Sequence, residues 1–180
     1  MSLIERCRKG QMEAMGLVVI VILITLGMLF LAQFALKEAG EKKIFTRKGL
    51  AYSSMSAILK TTVETDCRAN TIPYLGRDVL EDCAINLADS PEGYSKYKCS
   101  GLHSCVFAEQ KITTLLLNTL GEWNKRYEFQ SRLINNEGAM PIFTITNKGG
   151  CTGRERDTSG LFPIQAENAG LIENILFICD

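Results

Sequence analysis

The chain has 180 residues, 46% of them hydrophobic, and its 20 basic and 20 acidic side chains cancel. Balanced charge and a pI near 6.6 lack the basic surplus of a nucleic-acid binder, so no nucleic acid is expected as a partner. Four prolines and fifteen glycines exclude a collagen-like or low-complexity chain, and the length fits one domain with an appendage.

A short charged leader, residues 1–10, opens the chain and ends in Arg8-Lys9-Gly10; Gln11-Met12-Glu13 follow. Residues 15–36 then carry no charge, and Thr25 and Gln33 are their only strongly polar side chains. These 22 residues would rise about 33 Å as a helix, enough to cross a hydrocarbon core of about 30 Å. A secretory signal peptide has a shorter apolar region and a small-residue cleavage site directly after it, which is not the pattern here. The flanks carry Arg6, Arg8 and Lys9 before the span and Lys37, Lys42, Lys43, Arg47 and Lys48 after it. Counted alone, those cations would place the C-terminal part inside the cell.

Charged leader, glycine, a few polar residues and an unbroken apolar helix is also the order found in type IV pilin-like precursors. The junction resembles the archaeal class III signal peptides, in which Lys-Gly-Gln begins the motif, and the resemblance covers roughly residues 8–36. It implies that a membrane prepilin peptidase cuts between Gly10 and Gln11 and leaves the helix on the mature protein. That cut would remove Cys7, three basic and one acidic side chains, leaving 17 basic, 19 acidic and a net charge of −2. The family places an acidic residue fifth in the mature chain, where it meets the N-terminal amine of a neighbouring subunit. Here Glu13 is third and Met15 fifth, a shift of about 200° around a helix. Read without the family, Glu13 is a solvated charge at a helix start.

Ile44, Ala51, Met55, Ile58, Leu59 and Val63 recur at helical spacing, which extends the helix over residues 11–64 with an amphipathic second half. A short stalk followed by a separate helix is the alternative, with Gly40 or Gly49 at the break. The head, residues 65–180, begins with a small helix within 77–89, and Ser90-Pro91-Glu92-Gly93 follows with turn chemistry. Residues 105–126 form a second helix with Ile112, Leu115, Leu116, Leu120 and Trp123 on one stripe. Strands are expected over 127–133 and 141–146, joined through Asn135-Asn136-Glu137-Gly138. A loop over 147–160, a short edge strand over 161–164 and a closing strand over 174–179 complete an α+β domain with a C-terminal antiparallel sheet.

Cysteine supplies the topology. Cys7 lies before the span, and Cys67, Cys83, Cys99, Cys105, Cys151 and Cys179 lie beyond it. Six is the number that three bridges need, and bridges persist in oxidising compartments, so the N-terminus is placed inside and the head outside. Six cysteines allow 15 pairings. Joining neighbours along the chain gives Cys67–Cys83, Cys99–Cys105 and Cys151–Cys179, the last clipping the 147–160 loop to the final strand.

The chain's one histidine, His103, stands between Cys99 and Cys105. A zinc site with Cys83 or Cys67 is conceivable, but paired CxxC spacing is missing. A Cys–His nucleophile would lack an orienting third group. No catalytic, cofactor or metal site is expected. The sequence thus reads as a structural subunit of an archaeal type IV pilus-like surface filament. Its partners would be the membrane before assembly, copies of itself or related subunits, and the peptidase. The alternative is a single-pass, membrane-anchored extracellular adhesion protein that does not polymerise.

Overall fold

The computed structural model describes residues 3–63, 67, 72–89, 93–153 and 156–179, with 3–14, 34–43 and 89 described as backbone alone. The expected turn at Ser90-Pro91-Glu92 therefore lies outside the described residues. Helical backbone, α1, is assigned to Leu3–Lys60, and the chain divides into two compact units, Met1–Ile44 and Phe45–Asp180.

In the first unit residues 15–33 are all exposed. The Thr25 hydroxyl donates to the Ile22 carbonyl at 2.9 Å, so its polar group is satisfied inside the helix. In the second unit α1 contributes Ala51, Met55 and Ile58 to the core, positions three and four apart that share one face. Val63 is buried beyond the end of α1 and Leu59 is partly covered, whereas Ile44 is exposed.

After α1 come a π-helical turn over Leu75–Leu80 and α2 over Glu81–Ile85, which bury Val79, Leu80 and Cys83. Gly76 lies against α1, where a Cβ would sit 2.7 Å from the Leu59 carbonyl oxygen, so no larger residue fits. The main helix of the head, α3, spans Ser104–Leu116 and continues as a π-helical turn over Leu117–Gly121. Its stripe of Ile112, Leu116 and Leu120 is fully buried. Trp123, expected on that stripe, is 62% exposed, because the π-helical turn shifts the register and the helix ends before it.

The sheet consists of β1 (Arg126–Asn135), β2 (Gly138–Thr146), β3 (Arg156–Thr158), β4 (Phe162–Ala166) and β5 (Gly170–Cys179). Its order is β2-β1-β5-β3, with β4 also pairing β5, and every pairing is antiparallel. The architecture is thus α+β, with an apolar N-terminal helix and a C-terminal antiparallel sheet. Tyr127, Phe129, Ser131 and Leu133 alternate inward from β1 and meet Ile172, Asn174, Leu176 and Ile178 of β5. Ser131 Oγ donates to Asn174 Oδ1 at 2.9 Å and Asn174 Nδ2 to the Phe162 carbonyl at 3.1 Å, so this buried polar pair is satisfied. Burial raises the Tyr127 phenol above its ordinary 10.0.

Strand limits differ from expectation where backbone freedom or a distant partner decides them. β2 starts at Gly138, whose φ of 127° lets Asn135 pair with it directly. β5 begins at Gly170, not 174: its φ is 131°, and a Cβ there would lie 2.2 Å from the Ile134 carbonyl oxygen. β3 falls inside the stretch expected to be loop. Its Asp157 points inward, with Oδ2 2.7 Å from Arg47 Nε of α1, and both side chains are nearly buried. The free edges of the sheet carry proline: Pro141 in β2, beside a register shift at Ser131/Arg132, and Pro163 in β4.

Candidate functional site

Two features stand out as candidates for function, and they lie in different units. The first is the apolar face of α1. Over Met15–Gln33 the helix is long and apolar enough to cross a membrane, with nothing in that window buried inside the chain. Its large side chains are 48–75% exposed, and a continuous exposed apolar surface of this kind marks membrane or protein contacts. Gly10 and Gln11, expected to flank a processing cut, and Glu13, expected to act in assembly, belong to the stretch described as backbone alone, so their side chains lie outside the described residues.

The second is the cysteine cluster of the head. The bridges are Cys67–Cys99, Cys83–Cys105 and Cys151–Cys179. All six distal cysteines are paired, but the expected Cys67–Cys83 and Cys99–Cys105 bridges are corrected. Neighbourhood in space overrides neighbourhood in sequence. Cys67 and Cys99 face each other in an isolated antiparallel bridge. Cys99 is turned away from Cys105 by Ser100 and Gly101, with φ of 53° and 78°, and Cys105 meets Cys83 of α2 from the first turn of α3. Cys151–Cys179 joins the 147–160 segment to the end of β5, where the Cys151 amide donates to Glu128 Oε2 at 3.3 Å.

His103 is a cap for α3. Its Nδ1 accepts the Cys105 amide at 3.2 Å, and its Nε2 lies 2.9 Å from the Tyr94 carbonyl. An accepting Nδ1 leaves the proton on Nε2, which then donates to Tyr94, so both ring nitrogens are engaged with backbone. The residue is 4% exposed. The zinc set considered from sequence is not assembled: Cys99 and Cys105 sit in different bridges. Among the described residues no group of three or more His, Cys, Asp or Glu is placed to hold a metal.

Beside this cap lies a carboxylate that the sequence did not single out. Asp82, 5% exposed, accepts the Asn86 side-chain amide (2.8 Å) and the Lys96 amide (3.1 Å) on Oδ1. Its Oδ2 accepts the Ser95 hydroxyl (2.8 Å) and the Tyr97 amide (3.0 Å). Ser95 Oγ in turn accepts the Ser104 amide at 3.1 Å, linking α2, the 93–97 segment and the start of α3. The arrangement can hold a loop, since each lone pair is filled by the chain's own donors. The one available signal was an acidic residue next to Cys83 on the buried side of a short helix.

No protein-family model, curated protein or solved structure matches this chain.

Proposed function

We propose that this chain is a structural subunit of an archaeal type IV pilus-like surface filament, held in the membrane before assembly and joined to its own copies afterwards. The observation that carries this reading is the exposed apolar window Met15–Gln33, with nothing in it buried, together with a three-bridge head. Such a surface needs a cover, and a filament core made of the same helix from other copies substitutes protein for hydrocarbon. In this reading residues 11–64 act as one long helix, apolar in its first half and amphipathic in its second. The bridges favour a head outside the cell, and Lys9-Gly10-Gln11 supports cleavage by a prepilin peptidase-like enzyme.

The displaced Glu13 favours a second reading, a single-pass anchored adhesion protein that does not polymerise. Mass spectrometry of the native N-terminus separates the two: a chain beginning at Gln11 supports the subunit, and an intact Met1 leader supports the anchor. Deleting residues 17–31 is expected to abolish both membrane retention and assembly. Filaments of normal diameter from that deletion would refute the filament reading.

A further inference from the structure

Two of the three bridges cross along the chain: Cys67–Cys99 and Cys83–Cys105 interleave, whereas Cys151–Cys179 stands apart. We propose that the head reaches this crossed pairing by catalysed thiol–disulfide exchange, its partner being a dithiol isomerase that acts on the 67–105 segment before it packs.

The argument starts with an unfolded chain, where the chance that two cysteines meet falls with the length of the loop they close. The wrong neighbouring pairs are 16 and 6 residues apart, and the observed pairs are 32 and 22 apart. Loop-closure statistics with a 3/2 power favour Cys67–Cys83 over Cys67–Cys99 by about 3-fold and Cys99–Cys105 over Cys83–Cys105 by about 7-fold, so the sequential set leads by about 20-fold. The N-terminal pair of that set is also the first to be complete as the chain emerges. Nothing comparable opposes Cys151–Cys179, whose members lie 28 residues apart and far along the chain from the others.

The lead of the wrong pairs must be reversed before the core closes. Cys83 and Cys99 have no exposure, and Cys67 and Cys105 are buried as well. Leu75, Val79 and Leu80, all fully buried, lie between the crossing cysteines. A chain locked as Cys67–Cys83 and Cys99–Cys105 would leave such apolar side chains uncovered, a surface that an isomerase can engage. In the exchange an isomerase thiolate attacks one sulfur of a wrong bridge and that S–S bond breaks. The released protein thiolate attacks the other wrong bridge, and the last free thiolate displaces the isomerase. Two wrong bridges become two right ones with no net oxidation. The initial bridges require oxidation, each passing two electrons and two protons to a disulfide oxidant.

The test uses the full chain in detergent. Reduced and unfolded in guanidinium, it is reoxidised with a glutathione couple, quenched with iodoacetamide and mapped by non-reducing peptide mass spectrometry. In denaturant the sequential set is expected to exceed the crossed set by about 20-fold. After dilution, a protein disulfide isomerase should shorten the time to crossed pairing several-fold, and its active-site Cys-to-Ser form should not. The variant Cys67→Ala/Cys99→Ala removes the crossing, and its Cys83–Cys105 bridge is expected to form at a rate indifferent to the isomerase. Wild-type chain that reaches the crossed pairing equally fast without isomerase would overturn the proposal. So would a majority of crossed pairs in denaturant, an arm that requires no variant to fold.

Discussion

Asp82→Asn is the most informative single change in the head, because it keeps shape and removes one acceptor. An amide places an NH2 where one carboxylate oxygen stood. Turned one way, that NH2 faces the Lys96 amide and Asn86; turned the other, it faces the Tyr97 amide and Ser95. The side-chain partners can rotate: the Ser95 hydroxyl has the Tyr97 carbonyl 3.2 Å away as another acceptor. A backbone N–H cannot, so one amide loses its acceptor in either orientation. An orphaned buried donor costs about 1–3 kcal/mol, and loss of charge from the remaining bonds costs about 1 kcal/mol each, for a total of about 3–5 kcal/mol. Guanidinium unfolding of the full chain in detergent, followed by far-UV circular dichroism, reads that loss. Amide exchange at Lys96 and Tyr97 reads its location, one of the two exchanging faster in the variant. A variant within about 1 kcal/mol of wild type, with both amides exchanging as before, would refute the assignment of Asp82 as the anchor of the 93–97 segment.

Two further outcomes follow from buried groups that the sequence left anonymous. Asp157→Ala removes the carboxylate that lies 2.7 Å from Arg47 Nε in a nearly buried site and is expected to destabilise the head, by up to about 3–5 kcal/mol. Arg47→Met combined with Asp157→Leu should recover most of that loss, as measured by the same unfolding midpoints. Tyr127 titrates higher when folded, because burial disfavours its phenolate. The folded state therefore holds the proton longer than the unfolded chain. This contribution is intact below about pH 10 and is lost as pH rises through the raised folded value. Tyr127→Phe should show a shallower alkaline decline than wild type, and an identical decline would contradict the assignment.

Legibility followed the range of the interactions. The apolar window over residues 15–33, the buried stripe Ile112–Leu116–Leu120 and the β1–β2 hairpin were readable because each repeats a local period. Asn135 and Gly138 also stand where a tight connection needs them. β3 was not readable: three residues are too few for a period, and its Asp157 answers to Arg47, more than a hundred residues earlier. Two of the three expected bridges failed for the same reason, since Cys83 and Cys105 meet through the packing of α2 on α3 and not through proximity in the chain, whereas Cys151–Cys179 formed as expected. His103 beside thiols pointed only weakly to a metal, and nothing in its sequence neighbourhood announced that its Nδ1 performs the service usually given to Ser, Thr, Asp or Asn at a helix start. Trp123 misled in the opposite direction, its helical spacing broken by the π-helical turn before it.

The sheet's margins bear on how this head meets other proteins. Each free edge is interrupted by an imino acid that cannot donate to an incoming strand, Pro141 on one side and Pro163 on the other. β3 adds a short strand of three residues with a charge turned inward, and a strand so built makes a poor template. Two copies of the head that meet edge to edge are thereby kept from zipping into a shared sheet. Whatever brings two of them together must then be written in side chains, where a single substitution can change it, and not in the backbone common to every protein nearby.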